Sequence, residues 1–418
     1  MLKTLRNAWR IPDLRKKLIY TMFMLVVFRA GSHIPVPGID TAQIKAIIEK
    51  GALFGFFDFV SGGALKNFSI FAMSITPYIN ASIIINLLTI VIPKLEELSK
   101  EGEAGRKIIA KYTRYGAVVL ALIQAIGMSA GFRAAVIDTG FISIAVIVIS
   151  LTAGTAFLMW LGEQITDKGI GNGISLIIFA GIVSRLPLTA FQLYQMVKIG
   201  SANIITIVLF ALVAILVVAG VVAVNEAERR IPVQYAKRVV GRKMYGGQST
   251  NIPIKVNQAG VIPVIFAMSI LLFPSTIAGF FPNSKIATSI ARFLEPSGLV
   301  YAVLYALLII FFTYFYTAII FNPADVANNI KKYGGFIPGI RPGRPTAQYI
   351  EKILSRITLA GALFLAAIAI MPYIFTGITK MNISFGGTAL LIVVGVVIET
   401  VKQLEAQMLM RHYDGFLK

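Results

Sequence analysis

The sequence predicts an all-α membrane protein that crosses the bilayer many times, and three observations support this prediction. Apolar residues make up 57% of the 418 residues and charged residues only 14%, whereas soluble domains carry about 25% charged residues. The mean hydropathy is +0.79. Apolar runs recur along the whole chain, and each is long enough to cross about 30 Å of hydrocarbon as a helix.

Ten such runs can be identified, and an even number of crossings puts both termini on the same side. Basic residues such as Lys3 and Arg6 precede the first run, but no small-residue cleavage site follows it, so we interpret it as a retained helix and not a signal peptide. The runs are 18–37, 72–92, 115–132, 141–161, 173–194, 203–224, 259–281, 299–321, 354–376 and 384–401.

The distribution of basic residues predicts the orientation. The chain has 39 Lys and Arg against 19 Asp and Glu, and most of the basic residues fall in the N-terminal tail and after the even-numbered spans. Loops rich in Lys and Arg stay in the cytoplasm. Both termini are therefore expected to be cytoplasmic.

Ten spans divide into two groups of five, which predicts two pseudo-symmetric halves, residues 1–200 and 201–418. An odd number of spans in each half makes the halves insert with opposite orientation, as in inverted repeats. The supporting signal is small: Pro77 and Pro263 lie near the start of the second span of each half.

Two cytoplasmic loops, 225–258 and 322–350, are long and basic, and they contain β-branched residues and turn dipeptides. Loops of this length are usually functional or disordered, and the turn chemistry favours folded loops that form a docking surface. The alternative is that their charge serves only as a topology signal.

The sequence lacks the residues that several kinds of chemistry need. The chain has no cysteine and only two histidines, and it has no Walker-type phosphate loop, so no metal or cofactor is expected. The Gly-rich run DKGIGNGIS, 167–175, joins two spans and is interpreted as a hinge. An ion-coupled transporter or an intramembrane enzyme needs ionisable residues at mid-membrane depth. Glu399 comes closest to this.

The segment FFDFVSGGALKNFSI, residues 56–70, is too polar to cross a bilayer and too apolar for an aqueous loop. It lies between the first two spans. Irregular backbone at membrane depth is tolerated only where protein or a water-filled cavity covers it. A short re-entrant segment is therefore expected here.

The chain resembles the SecY family, the main subunit of the bacterial protein-conducting channel, from its first span to its last. The motifs that carry the resemblance are SIFAMSITPYINASIIINLLT at 69–89, EGEAGRKIIAKYTRYG at 101–116, FLMWLGEQITDKGIGNGISLIIFAGI at 157–182, YAKRVVGRKMYGGQST at 235–250, KVNQAGVIPVIFA at 255–267, GGFIPGIRPGRPTAQYI at 334–350 and FGGTALLIVV at 385–394.

The resemblance implies two halves around an hourglass pore, which a re-entrant helix, the plug, fills from the outward side. The glycines of this segment weaken a helix by about 1 kcal/mol each relative to alanine, which suits a part that must move. The alternative is a filler loop that never moves. The plug residues implied are Phe57, Phe59, Ser61, Gly62, Gly63, Ala64 and Leu65.

The resemblance also implies a pore constriction made of isoleucines. Branched aliphatic side chains in a narrow throat exclude water and ions by dewetting. Without the resemblance, each of these residues would be interpreted as ordinary helix packing or lipid contact. The residues are Ile75, Ile79, Ile174, Ile178, Ile265 and Ile392.

Further roles are implied at the surfaces. Arg242, Lys243, Arg341 and Arg344 match cytoplasmic positions that bind the SecA motor or the ribosome, whose RNA attracts basic residues. Arg341 could instead only cap or pair within its own loop. Gln124 and Asn257 are candidates for hydrogen bonding across a lateral gate, between spans 2 and 3 on one side and spans 7 and 8 on the other, although either could bond its own helix.

The expected partners are the SecE and SecG membrane subunits, SecA, the ribosome, signal-sequence-bearing polypeptides and membrane lipids. The expected location is the bacterial cell (inner) membrane. The expected function is passive transport of unfolded polypeptides, without enzyme activity, with lateral release of hydrophobic segments into lipid. The alternative is a secondary transporter built from an inverted repeat.

Overall fold

The computed structural model describes most of the chain, in blocks separated by short gaps. Helices dominate the described part, and its strands are confined to residues 228–255 and 335–336. The described residues are 2–50, 58, 61–199, 204–235, 238–240, 243–245, 249–279, 284–285, 289, 293–294, 298–379 and 387–414.

The first half of the chain provides helices α1 to α8. They are α1 Leu2–Arg10, α2 Pro12–Gly31, α3 Thr41–Lys50, α4 Thr76–Val91, α5 Pro93–Lys100, α6 Glu103–Gly131, α7 Phe141–Lys168 and α8 Gly173–Lys198. The second half provides α9 Ile204–Glu226, α10 Ile262–Gly279, α11 Leu299–Ile320, α12 Pro323–Lys332, α13 Arg344–Thr379 and α14 Gly387–Asp414.

Each of the ten apolar runs overlaps one of these helices, namely α2, α4, α6 to α11, α13 and α14. Among the described residues, five helices are long and apolar enough to cross a membrane. A sixth span results if α4 and α5, bent by 101° at their junction, are counted together. The chain is therefore a membrane protein, and the total of ten crossings stays a prediction.

The first span lies earlier in the chain than the hydropathy predicts. The helix covers Pro12–Gly31 and not 18–37. Proline is favoured in the first turn of a helix, where its missing N–H has no partner anyway. Beyond the helix, Pro35 and Pro37 lack the N–H that a continuing helix needs.

Residues 61–75 form a series of turns, so the prediction of a helix over 56–70 is wrong for residues 61–70. Gly62 and Gly63 have φ angles of +68° and +92°, and the non-glycine residues Phe68 and Ser74 also have positive φ. This backbone region is unfavourable for L-residues other than glycine. Of the residues before 61 in this segment, only Asp58 is described, and it is helical.

The two long loops that are predicted to be cytoplasmic form one folded unit, called the folded cytoplasmic unit after that prediction. Strand β1 (Glu228–Tyr235) pairs antiparallel with β4 (Ser249–Lys255) on one edge and with β5 (Gly335–Phe336) on the other. Strands β2 (Arg238–Val240) and β3 (Lys243–Tyr245) make a separate hairpin. The expectation that these loops are structured is confirmed. Their shared buried core contains Ile231, Val233, Ile254, Ile330, Ile337, Ile350 and Leu354.

Most buried side chains among the helices belong to two groups. The central cluster draws on α2, α4, α7 to α11, α13 and α14, and its members include Ile75, Ile79, Ile83, Leu158, Ile178, Ile182, Val217, Val264, Ile265, Ile309, Leu365, Ile392 and Val396. The side cluster lies among α3, α6, α7 and the turns, and its members include Val36, Ile44, Leu65, Phe68, Ala121, Ala125, Phe132, Ile147 and Leu151.

The two ends of the chain contact each other. The hydroxyl of Thr4 in α1 donates to Glu405 Oε1 in α14 at 3.0 Å, and the ammonium of Lys17 donates to Gln407 Oε1 at 3.1 Å. Helices α1 and α2 therefore contact the C-terminal part of α14.

Candidate functional site

All six isoleucines assigned to the pore lie together in or against the central cluster. Ile75, Ile79, Ile178, Ile265 and Ile392 are at most 7% exposed, and Ile174 is half-buried against them. They come from α4, α8, α10 and α14 or the residue before α4, so both predicted halves contribute. The structure places residues far apart in sequence in one apolar group.

A tightly packed turn between α7 and α8 positions Ile174. A Cβ built on Gly173 would lie 1.9 Å from Gly162 O, so only glycine fits there. Asn172 caps α8, because its Oδ1 accepts hydrogen bonds from the N–H groups of Ile174 and Ser175 at 3.1 and 3.2 Å. Such caps satisfy amides that have no partner within the helix. The Gly-rich run thus joins two helices, as expected, and its role as a hinge stays a prediction.

Backbone constraints also place the other isoleucines. Ser74, with φ of +53°, turns the chain immediately before Ile75, which is the N-cap residue of α4. On the opposite side, a Cβ on Gly395 of α14 would lie 2.2 Å from Val261 Cγ1. This close approach brings α14, which carries Ile392, against the start of α10.

A cavity of about 350 Å³ adjoins the isoleucines, between α4, α6, α7 and α8 of the first half and α10 and α11 of the second. Arg114 Nε donates to Glu163 Oε1 at 2.6 Å along this lining. The cavity is therefore lined by both apolar and polar side chains. Its polar lining residues are Tyr78, Ser82, Arg114, Glu163, Thr166, Asp167, Asn172, Ser175 and Tyr316.

The segment after Asp58 packs against both buried groups. Ala64 belongs to the central cluster and Leu65 to the side cluster, and Ser61 is also buried. Of the seven implied plug residues, Phe57 and Phe59 lie outside the described residues. Of the other five, Ser61, Ala64 and Leu65 are buried, and Gly62 and Gly63 lie against α8.

This segment is held in place by charged residues that were not among the predicted site residues. Asp58 forms an ion pair with Arg185 of α8, and Arg29 of α2 donates to Gly62 O at 2.7 Å. A usable signal existed for Arg185, because a charged residue inside an apolar span is a candidate functional residue by default. Its partner, 127 residues away, could not be identified from the sequence.

The hydrogen bond expected near the lateral gate is not formed between the two candidates. Gln124 is buried in α6, but the amide of Asn257 donates to Asn225 Oδ1 at the end of α9, at 2.9 Å. Asn257 Oδ1 and Asn80 Nδ2 are buried without a partner among the described residues. The amide of Asn257 does not bond Gln124 because it donates to Asn225, which lies in the same half.

A different pair joins α4 to α11. Asn86 Nδ2 donates to Tyr316 Oη at 3.3 Å, and the phenol ring packs edge-on against Phe266 of α10. Sequence reasoning missed this pair, although a lone asparagine in an apolar span is a usable signal. It links the second predicted span to the eighth.

On the folded cytoplasmic unit, Arg341 and Arg344 are exposed. Among the described residues no acidic side chain forms an ion pair with Arg341, whose carbonyl accepts from Thr346 Oγ1 at 2.9 Å. Lys243 is described only as part of strand β3, and Arg242 lies outside the described residues. Within the described part of the chain, no group of three His, Asp or Glu residues could hold a metal ion.

Comparison with known proteins identifies the family. The SecY family model matches residues 69–401. A curated relative from Halalkalibacterium halodurans, named protein translocase subunit SecY, is 51% identical over 432 aligned positions, which cover the whole of both chains. A solved structure described as showing the plug domain of the SecY protein aligns with 94% of this chain and 92% of its own, with a TM-score of 0.69 and 19% identity.

A second solved structure, of Sec61 in the canine ribosome–channel complex from the endoplasmic reticulum, aligns with a TM-score of 0.64 and 17% identity. That alignment covers 94% of this chain and 92% of the other. At such identities the two structures establish the fold alone. The family model and the full-length relative go further, and the chain belongs to the SecY family.

Proposed function

We propose that this chain is the central, pore-forming subunit of a Sec translocon. In this proposal it is a passive channel that carries unfolded polypeptides across the membrane and has no enzyme activity of its own. The observation that supports it most is that all six isoleucines lie in or against one buried apolar cluster, and that four of them line a cavity between the two predicted halves.

The apolar group suits a seal that any polypeptide can pass. Side chains without hydrogen-bonding groups exclude water and ions by dewetting, and they give a moving chain no specific binding site. The cavity then serves as the cytoplasmic entrance, because its lining residues Arg114, Glu163 and Asn172 lie just outside the ends of predicted spans that face the cytoplasm. Residues 56–70 act as the plug on the other side of the isoleucines.

Lateral release needs a seam that opens between the second and third spans on one side and the seventh and eighth on the other. Two features support this seam: the cavity is lined from both sides, and the Asn86–Tyr316 hydrogen bond links α4 to α11. In membranes such bonds contribute about 0.6 kcal/mol each, so an apolar signal helix can separate them. In this arrangement the two halves correspond to residues 1–200 and 201–418.

The energy for transport comes from partners. The exposed Arg341 and Arg344 on the folded cytoplasmic unit suit the polyanionic surface of a ribosome or the SecA motor. The description of Sec61 in a ribosome–channel complex supports the first of these. SecE and SecG are the membrane partners in this proposal. The host membrane is the bacterial inner membrane, and the contact between α1 and α14 supports placing both termini on one side, the cytoplasmic one.

The test is import into proteoliposomes that contain this chain with its small membrane partner. An unfolded precursor with a signal sequence is added together with the motor ATPase and ATP. We expect protease-protected precursor inside the vesicles, and none when the chain is left out. Ion flux coupled to a small solute, without import of the precursor, would identify a secondary transporter instead.

A further inference from the structure

Asp58 lies at the centre of a buried polar network. Only 2% of its surface is exposed. Its Oδ2 pairs with the guanidinium of Arg185 in α8, and its Oδ1 accepts from the backbone N–H of Lys66 at 2.6 Å. One carboxylate thus both shapes the segment that follows it and fastens that segment to a helix.

A second arginine reaches the same segment from another helix. Arg29 of α2 donates to Gly62 O at 2.7 Å and to Ser184 Oγ in α8 at 3.2 Å. Two positive side chains therefore converge here, and Asp58 supplies the negative charge. Removal of one member of such a buried set leaves a charge without compensation, which costs more than the removal of both members of a pair.

The face of α8 that receives the segment fits it closely. Gly181, Ser184 and Arg185 follow the i, i+3, i+4 spacing that places residues on one face of a helix. A Cβ on Gly62 would lie 2.8 Å from Gly181 Cα. The backbone of the segment thus rests directly on the helix backbone, next to the two arginines.

The character of the contacts changes at Phe68. From there on, backbone hydrogen bonds fix the chain: Val36 N–H donates to Phe68 O at 2.9 Å, and Ile70 N–H donates to Ile34 O at 3.0 Å. Phe68 itself is fully buried. Before this point, the side chains of Asp58, Arg29 and Arg185 provide the polar attachment, beside the packing of Ala64 and Leu65.

Given the proposed function, we propose that Asp58, Arg29 and Arg185 form a latch that holds Asp58 and residues 61–65 in place while the channel is closed. The segment that moves during transport ends before Phe68, at the backbone pairing with residues 34–36. The latch residues are positioning residues, which set how readily the channel opens and take no part in contacts with the isoleucine group. The charged part of the latch is the Asp58–Arg185 pair, because the buried carboxylate of Asp58 is compensated by Arg185. Arg29 adds hydrogen bonds to Gly62 O and Ser184 Oγ.

Single-channel recording in a planar bilayer tests the latch, with this chain and its small membrane partner. We expect Asp58→Asn and Arg185→Gln each to raise the fraction of time spent conducting by about tenfold or more, as the loss of one buried charge partner implies. The double variant should conduct less than the product of the two single effects predicts. Asp138→Asn, in an exposed turn, is the matched control and should match the intact protein.

Thiol labelling tests where the moving segment ends. The chain has no cysteine, and two buried serines lie on either side of the proposed boundary. Ser61→Cys should react with a membrane-impermeant maleimide, applied from the outward side, when a precursor is halted in the channel. Ser69→Cys should stay protected in the same vesicles.

The outcomes separate the latch from the proposed function. Two results would refute the latch while the intact protein still imports precursor. The single variants could conduct no more than the control, or their effects could multiply independently. In either case the proposed function as a channel is unaffected. If both cysteines react equally, or neither reacts, the proposed boundary at Phe68 is wrong. If the intact protein neither imports nor conducts, the proposed function itself fails and the latch fails with it.

Discussion

Asn86 in α4 and Tyr316 in α11 are hydrogen-bonded at 3.3 Å, although 230 residues separate them in the chain. Tyr316 also lies at the edge of the cavity between the predicted halves. This bond is a direct polar link across the seam through which hydrophobic segments are proposed to leave. A single neutral hydrogen bond of this kind is weak enough to break when the proposed seam opens.

Replacing Tyr316 with Phe should therefore ease the opening of the seam. The loss of one hydrogen bond in a membrane costs about 0.6 kcal/mol, which corresponds to about a threefold change in equilibrium. We expect a precursor with a weakened signal sequence to be imported about threefold faster. Tyr314→Phe is the matched control, because Tyr314 Oη donates to Ser355 O at 3.1 Å within the second half. An equal gain in the control would contradict a role specific to the seam.

The turn between α7 and α8 should tolerate no added methyl group at Gly173. A Cβ there meets the backbone oxygen of Gly162 at 1.9 Å, and overpacking of this kind costs about 1–3 kcal/mol. We expect Gly173→Ala to lower the thermal midpoint in detergent. Gly116→Ala is the control: its Cβ would meet Ala81 at an ordinary 3.5 Å, so its midpoint should be unchanged or higher. A Gly173→Ala protein as stable as the control would refute the tight turn.

Charge reversal at Arg341 should weaken binding to ribosomes without loss of stability, because the side chain is exposed on the folded cytoplasmic unit. If Arg341 neutralises one phosphate, the slope of log affinity against log salt should fall by about 1 in Arg341→Glu. Co-sedimentation at several salt concentrations measures this slope. Arg133→Glu, at the predicted opposite face of the membrane, should keep the slope of the intact chain. If the Arg341→Glu and Arg133→Glu variants have identical slopes, Arg341 does not neutralise a ribosomal phosphate and acts only within its own loop.

Much of the architecture follows from sequence because burial in lipid imposes long apolar runs, and each of the ten runs overlaps a helix. Helix ends were less predictable. The helix of the first predicted span, α2, begins at Pro12 within the basic tail, because proline starts a helix well whatever the hydropathy of its neighbours. The turns at 61–70 depend on contacts with α2 and α8, which no local pattern reveals.

Residues that act through long-range partners could not be predicted. Ile178 carries no chemistry of its own, and only the resemblance to a family singled it out. Asp58 looks like a solvated loop residue until Arg185, in another helix, is placed beside it. Asn257 was expected at the lateral gate, yet it bonds Asn225 in the same half. Which side chains contact each other depends on how the helices pack. Helix packing depends on the whole fold and cannot be read from a local stretch of sequence.

Single-channel conductance of an Ile178→Ser, Ile265→Ser double variant tests the central claim most directly. These two isoleucines lie in the central cluster and belong to different predicted halves. The matched control is Ile149→Ser, Ile215→Ser, at positions that are 65% and 70% exposed on the helix surface.

Without precursor, we expect the intact protein and the control to be closed to ions, and the cluster variant to conduct, because hydroxyl groups allow water to enter an apolar constriction. If the cluster variant conducts no more ions than the intact protein, the claim that these isoleucines seal a protein-conducting pore is contradicted.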